Sequence, residues 1–521
     1  MYLTQGLRRA AQIRPREEST VFRERRRVWA ETVDRVARIA GGLREAGVRP
    51  GDRVAILALN SDRYFELLYA IPWIGAVLVP VNTRLAAPET RYILEDSGAR
   101  VLFVDNATQT HAVEMADRAS SVGATFYLDD DTPPTGTRFF EDLAAAEPVA
   151  DVGAGGDTLA GLFYTGGTTG KAKGVMLSHS NLVWNAMNVI AGMYYDQDMT
   201  YVHAGPMFHL ADGGATFGVT TCGGRHVFLP RFDATDFLQT VERERVTHAA
   251  LVPTMINMLT TNTAVDQVDL SSLRHLTYGA SPMTGGLLRR ALETFPQCGF
   301  IHAYGMTEAS PGVTLLPPRY ATLEGPYAGR LESCGQAQFT TELKIVDEKR
   351  NPLPRGSVGE VAVRGPMIMS GYWNMPEQTA AVLEDGWFHT GDVGYMDEEG
   401  FLFIVDRLKD MIISGGENVY SAEVESTISL MAGVAEVAVI GIPDPKWGEC
   451  VHAIVVPRAG ADLTAEAVID HCSTRIAGYK CPRSVEFRTS PLPQSGPGKV
   501  LKRELREPFW TADHIKGVPN S

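Results

Sequence analysis

From about residue 30 to 150 the chain switches between two hydrophobic periods. Thr32 to Ala46 carries Val33, Val36, Ile39, Ala40 and Leu43 at helical spacing and stops at Gly47. Val54 to Leu59, after a Gly-Asp turn, is a short apolar run and reads as a buried strand. Ala76 to Val81 and Val101 to Val104 repeat that run, with helical stretches between them. Further strand-like runs follow at Val227 to Leu229, His248 to Val252, Leu276 to Tyr278 and Phe300 to Ala303. Strands alternating with helices at this spacing predict an α/β fold of parallel sheets covered by helices.

After about residue 335 strands shorten and turns multiply, as at Asp347 to Pro352, Pro354-Arg355-Gly356 and Asp397 to Gly400. This predicts a small antiparallel β section. Past Asp406-Arg407 comes a compact α+β segment: a helix from Ala422 to about Met431, strands Val434 to Ile440 and Cys450 to Val456, and a helix Ala465 to Arg475. The expected division is a large domain over 1–405 and a small one over 406–521, with a short hinge at Asp406. A chain of 521 residues exceeds one ordinary core, which agrees with at least two domains.

A net charge of −14 argues against a broad nucleic-acid surface. The cysteines (Cys222, Cys298, Cys334, Cys450, Cys472, Cys481) are scattered with no Cys-x-x-Cys pair, the pattern of free thiols in a reducing, cytoplasmic setting. No apolar run reaches the length of a membrane span, and the arginine-bearing N-terminus lacks the apolar core of a secretory signal. Arg23-Glu24-Arg25-Arg26-Arg27 is a basic cluster on an acidic protein. It is expected to be a solvated strand-turn edge, with peripheral contact to anionic lipid left open.

The run Tyr164-Thr165-Gly166-Gly167-Thr168-Thr169-Gly170-Lys171-Ala172-Lys173-Gly174-Val175 holds the first candidate chemistry. Glycines let backbone N–H groups approach an anion, threonine hydroxyls donate hydrogen bonds, and lysine adds a point charge. The run describes a polyphosphate loop. It is not a Walker A loop: Thr165 stands where that motif needs its first glycine, and Ala172 where it needs a metal-binding hydroxyl.

Further constellations lie downstream. Tyr304-Gly305-Met306-Thr307-Glu308 puts an aromatic face, a hydroxyl and a carboxylate in one turn after a strand. Thr390-Gly391-Asp392 places a carboxylate where it can accept from a ribose diol. Asp406-Arg407-Leu408-Lys409-Asp410 precedes Ser414-Gly415-Gly416-Glu417-Asn418, and Gly496-Pro497-Gly498-Lys499 displays a lysine on a rigid loop.

In this order, over about Trp29 to Leu505, the motifs resemble the adenylate-forming superfamily of acyl-CoA synthetases, aryl-CoA ligases, luciferases and peptide-synthetase adenylation domains. The resemblance implies that residues 164–175 grip the β- and γ-phosphates of ATP through Thr165, Gly166, Gly167, Thr168, Thr169, Gly170 and Lys173. Gly166 replaces a frequent serine and Ala172 a frequent proline, so one hydroxyl donor is missing. It implies that Gly279-Ala280-Ser281 walls the adenine and Tyr304 stacks on it. Thr307 would meet the α-phosphate, Glu308 would hold Mg²⁺, and Asp392 with Arg407 would bind the ribose. Lys499 matches the lysine that bridges the substrate carboxylate and the α-phosphate; Pro493-Gln494 departs from a frequent Pro-Arg. The implied reaction makes an acyl-adenylate and pyrophosphate, then transfers the acyl group to CoA. The small domain would turn about Asp406 between the halves, first presenting Lys499 and then the hairpin at Gly415-Gly416, which helps line the pantetheine tunnel; Lys409 is counted among the cofactor-binding residues.

CoA is the expected acceptor, because Gly478 to Arg483 resembles the lysine-bearing segment of CoA ligases. The acyl pocket is expected from Pro206 to His209, Gly213-Gly214, Thr254-Met255 and His302-Ala303, with His209 as the gate. With no charge in these stretches, an apolar tail is favoured: a medium- or long-chain fatty acid, with an aryl or cinnamate-like acid as the alternative. A homologue that only forms thioesters from ready-made adenylate, and a homodimer, are also left open.

Overall fold

The apolar runs at 54–59, 76–81 and 101–104 become neighbouring parallel strands, with Val54 opposite both Leu78 and Val101. Val77–Pro80 and Val101–Val104 are buried along their whole length, which is why they carry no polar alternation. The computed structural model describes residues 1–109, 121–166, 172–280, 283, 285–407, 410–414, 417–494 and 500–510. It divides into two compact units, one of residues 1–280, 290–342 and 363–388, the other of 281–289, 343–362 and 389–521.

The first unit holds two large sheets. One orders Gly371–Tyr372, Lys173–Ser178, Leu159–Thr165, Val77–Pro80, Arg53–Leu57, Val101–Val104, Ala124–Tyr127 and Arg138–Phe139. It is parallel from Leu159–Thr165 onward and antiparallel at the Lys173–Ser178 end. The other runs from Gln336–Ala337 through Gly312–Leu316, Gly299–Gly305, His275–Gly279, His248–Leu251, Thr200–His203 and Arg225–Phe228 to the hairpin Glu18–Phe22 and Arg25–Val28. Trp29, Tyr64, Phe65, Phe103, Phe126 and Phe140 are among the large side chains buried in the unit's core.

The expected 32–46 helix starts earlier, at Trp29, and ends at Glu45. Glu31 Oε2 accepts from the Val28 N–H at 3.1 Å, satisfying a donor at the helix start. The arginine cluster forms the edge hairpin, with Arg23, Glu24 and Arg26 exposed and Arg25 and Arg27 half-buried. Arg25 and Arg27 pair with Asp62, which is 1% exposed, and Arg26 Nη2 meets Glu244 Oε1 at 2.9 Å.

In the second unit, residues 389–396 pair antiparallel with Leu402–Arg407, beside 343–346 and 359–362. The C-terminal sheet orders Glu417–Val419, Ile412–Ser414, Gly448–Pro457 and Val434–Asp444, with Ser484–Phe487 parallel to Gly448–Pro457. Helices Ser421–Ser429 and Ala465–Ser473 lie close to the predicted ones. Among the described residues no helix is long and apolar enough to cross a membrane.

Candidate functional site

Strands Leu159–Thr165 and Lys173–Ser178 are antiparallel neighbours, with Tyr164 opposite Gly174 and Thr165 opposite Lys173. The glycine- and threonine-rich loop therefore leaves and re-enters the sheet at one rung, with Thr165 and Gly166 on one side and Lys173 on the other. Under this rung Tyr164 Oη donates to Asp96 Oδ2 at 2.6 Å, and Trp373 Nε1 donates to the Asp96 carbonyl at 3.0 Å. Burial and the Asp96 carboxylate raise the Tyr164 pKa, so the phenol stays a donor.

Strand Gly299–Gly305 delivers the turn Thr307–Ala309. The Glu308 carbonyl accepts from the Met369 N–H at 2.9 Å, and its carboxylate Oε1 accepts from Tyr372 Oη at 2.9 Å. Lys173 Nζ stands 4.7 Å from the centroid of the same Tyr372 ring. Lys173 and Glu308, far apart in sequence, thus share one neighbour that no sequence motif marks. Tyr372 follows a glycine in an uncharged stretch, and only the pairing of Tyr372 with Val175 in the sheet brings it here.

Asn82, Tyr164, Phe208, His209, Leu210 and Thr307 line one cleft, with about 320 Å³ of open space. Residues expected for nucleotide and for acyl group meet there. His209 precedes helix Leu210–Cys222. Burial, and then the Arg84 charge, push its pKa down to about 4, so the imidazole is neutral at physiological pH.

Gly279 and Ala303 are opposite each other on parallel strands. A Cβ on Gly279 would fall 2.3 Å from the Ala303 carbonyl oxygen, so only glycine fits. Ala280 then takes φ +66°, a left-handed value costly for alanine, at the position expected to wall the adenine. Tyr304 sits at the end of the adjoining strand, opposite Thr314. Tyr278 stacks on His302 with centroids 4.7 Å apart, and His302 Nδ1 lies 3.0 Å from the Ser333 carbonyl. A carbonyl only accepts, so Nδ1 carries the proton, and burial keeps the ring neutral by lowering its pKa.

Beside helix Leu210–Cys222, at Gly214, begins a group of amides that sequence reasoning missed. A Cβ on Gly214 would stand 3.3 Å from Pro311 Cδ and 3.8 Å from both Asn185 Nδ2 and Leu210 Cδ2. One on Gly312 would stand 2.4 Å from Gln338 Nε2 and 2.9 Å from Asn185 Oδ1. Asn185 Oδ1 accepts from the Gly312 N–H, and Asn188 Nδ2 donates to Thr340 Oγ1. Gln338 is 5% exposed, and neither its Nε2 nor its Oε1 has a partner among the described residues; Asn188 Oδ1 is likewise unpaired. No sequence signal marks them, since Gln338 follows a short edge strand where polar residues usually face water.

In the second unit Asp392 is buried and opposite Arg407 in the antiparallel ladder. Its N–H donates to Thr390 Oγ1 at 3.0 Å, and the Gly391 N–H donates to Glu360 Oε1 at 3.0 Å. The Asp406 carboxylate accepts from the Ser421 N–H and, at 2.8 Å, from Ser421 Oγ. Lys480 Nζ pairs with both Glu423 oxygens at 2.8 Å. Gly167, Thr168, Thr169, Gly170, Ser281, Lys409, Gly415, Gly416 and Lys499 lie outside the described residues, as does the side chain of Arg407.

Among the described residues no group of three His, Cys, Asp or Glu gathers as a metal cage. Mg²⁺ is commonly held by one or two carboxylates together with substrate phosphates. Glu308, with a Thr307 hydroxyl beside it at the cleft, supplies oxygen donors that fit that mode.

Two family models match the chain, one described as AMP-binding enzyme over residues 7–373 and one as AMP-binding enzyme C-terminal domain over 423–499. A feruloyl-CoA synthase of Amycolatopsis sp. is 44% identical over 482 residues, 92% of this chain and 94% of that protein. A long-chain-fatty-acid–CoA ligase of Mycobacterium tuberculosis is 36% identical over 511 residues, 96% of this chain and 97% of that one. Among solved structures, ATP-bound MatB from Rhodopseudomonas palustris superimposes with a TM-score of 0.87 at 31% identity, covering 98% of this chain and 99% of that one.

Proposed function

The chain belongs to the AMP-binding enzyme family and is an AMP-forming acyl-CoA ligase, and from that premise we propose that its acid is a hydroxylated arylpropenoic acid of the ferulate kind. The observation that carries this reading is the unpaired amide of Gln338, which meets Asn185 at Gly312, while Asn185 in turn meets the cleft residue Leu210 at Gly214. A buried polar atom without a partner costs about 1–3 kcal/mol. A fatty tail leaves that cost in place. A phenol hydroxyl with an ortho ether oxygen offers both a donor and an acceptor to the amide. The 44% identity to a feruloyl-CoA synthase supports the same class, against 36% for the fatty-acid ligase. The sequence alone favours the fatty acid because its pocket stretches contain no charge, and neutral amides escape that criterion.

In this reading the loop from Thr165 to Lys173 holds the β- and γ-phosphates, Thr307 donates to the α-phosphate, and Tyr304 packs on the base against Gly279-Ala280. Asp392 and Arg407 hold the ribose. Glu308 would bind Mg²⁺, which when present neutralises phosphate charge. Neutral His209 closes the acyl entrance without attracting the anionic carboxylate away from the α-phosphate. Lys499 stabilises charge on the phosphorus during adenylation. The 406–521 segment then turns about Asp406 so that Lys409 and Gly415-Gly416 face CoA.

The test is pyrophosphate release with ATP and Mg²⁺ over ferulate, 4-coumarate, unsubstituted cinnamate and a series of medium- and long-chain fatty acids, with and without CoA. Ferulate and coumarate should outpace cinnamate, with AMP and the aryl-CoA as products. Faster turnover of a fatty acid would overturn the aryl reading and restore the apolar one. For Lys499→Ala, loss of about 10²–10³ in adenylation is expected, while conversion of ready-made acyl-adenylate to acyl-CoA persists. Equal loss of both half-reactions would remove Lys499 from its assigned role.

A further inference from the structure

We propose that Tyr372 is a positioning residue that aims the Glu308 carboxylate at the metal and seats Lys173 for the phosphates. The proposal rests on the reading of Glu308 as the Mg²⁺ ligand. Tyr372 is 6% exposed, and its hydroxyl donates to Glu308 Oε1 at 2.9 Å. Among the described residues Oε2 accepts no hydrogen bond, so the phenol occupies one oxygen and leaves the other for a cation. The Tyr372 ring meanwhile faces Lys173 Nζ at 4.7 Å, a cation–π distance.

The tyrosine is itself held from several directions. Its N–H donates to Thr379 Oγ1 at 2.9 Å, and Gly371 before it has φ +141° with Thr379 Cγ2 only 2.6 Å from where a Cβ would be. Ser370 N–H donates to the Met176 carbonyl and Trp373 N–H to the Gly174 carbonyl, tying the segment to strand Lys173–Ser178. Met369 N–H donates to the Glu308 carbonyl. Residues 369–373 thus bind the backbone of the metal-side turn and the backbone of the phosphate-side strand, and Tyr372 joins their side chains.

The experiment measures Mn²⁺ binding by electron paramagnetic resonance in the presence of a non-hydrolysable ATP analogue. It compares the parent, Tyr372→Phe, Glu308→Gln and the double variant, each checked for native circular dichroism. Removing an outer-shell partner of a metal ligand typically costs about 10- to 100-fold in metal affinity. Tyr372→Phe should weaken Mn²⁺ binding by about tenfold or more and raise the Mg²⁺ half-saturation of pyrophosphate release in parallel. In the Glu308→Gln background the same change should add nothing, because its target is gone. Tyr372→Leu, which also removes the ring from Lys173, should in addition weaken the analogue without metal, whereas Tyr372→Phe should not. Parent-like Mn²⁺ affinity in Tyr372→Phe, or full additivity in the double variant, overturns the proposal while leaving Glu308 in place. Parent-like affinity in Glu308→Gln overturns the metal reading of Glu308 and this proposal with it.

Discussion

Gln338 is the residue on which substrate choice should turn. In the proposed reading its unpaired amide gives an acid bearing a hydroxyl an advantage that shape alone does not supply, since a site built to hydrogen-bond a hydroxyl rejects analogues lacking it far more strongly than an apolar pocket rejects a methylene. Gln338→Leu should therefore lower kcat/KM for ferulate by about tenfold or more, relative to unsubstituted cinnamate. The same change should not destabilise the apo-protein and should raise its Tm slightly, because it removes a polar group buried without a partner. A steady-state panel with both acids and a thermal melt check both statements. His209 supplies a different expectation at this scale. With its pKa pushed down to about 4, it adds no inflection to the pH profile of adenylation around neutrality. Profiles of the parent and His209→Phe should have the same limbs in that window.

At the scale of elements, much is readable because period and burial agree. Val101–Val104 is legible at its true bounds, since a strand buried on both faces has no choice but an unbroken apolar run. The helix starting at Trp29 reads three residues late, because Trp29, Ala30 and Glu31 add no period of their own and the cap is a backbone donor meeting Glu31. The run around Thr165 to Lys173, the Thr307-Glu308 turn and Asp392 stand out in the sequence as candidate chemistry; Tyr372 and Gln338 do not. Tyr372 matters through neighbours distant in sequence and Gln338 through a missing partner, and no local pattern encodes either. The segment around Asp406 carries its own prediction. The Asp406 carboxylate holds the first N–H of helix Ser421–Ser429, and Lys502 Nζ reaches Ser421 Oγ and, at 2.7 Å, Glu425 Oε1. Asp406→Ala should cost the second unit about 1.5–3 kcal/mol, the range for hydrogen bonds to a charged group. Calorimetry should show this loss confined to one transition.

For the whole molecule the buried histidines set the response to acid. Burial pushes His179 and His209 down to about 4 and His248 to about 3, and lowers His226 well below its ordinary 6.5. Unfolded, each takes up a proton near 6.5; folded, each resists until far lower pH. Between about 6.5 and 4 the unfolded state therefore binds more protons, and stability falls as pH falls, by up to about 1.4 kcal/mol per pH unit for each such group. Tm should drop steeply as pH falls below about 6.5, with more than one proton taken up on unfolding. The paired carboxylates extend the trend: burial opposes ionisation of Asp62, but Arg25 and Arg27 hold its pKa below the ordinary 3.8, so its contribution is lost only as pH falls through that lower value. Asp62→Ala takes one carboxylate from each guanidinium, leaving Arg25 with Asp130 and Arg27 with Glu66, and should cost less than the roughly 3–5 kcal/mol of a buried pair broken outright, measurable by chemical denaturation.

The hairpin that carries those arginines also ends the nine-stranded sheet. An outermost strand offers a row of unused backbone groups to any passing chain, and charged side chains along it discourage that docking. Arg25, Arg26 and Arg27, braced by Asp62 and Glu244, make the last strand a poor template for growth. The arginine cluster is thus a matter of shelf life and crowding as much as of folding. Arg26→Val should leave the enzyme folded yet make concentrated samples scatter more light on storage than the parent.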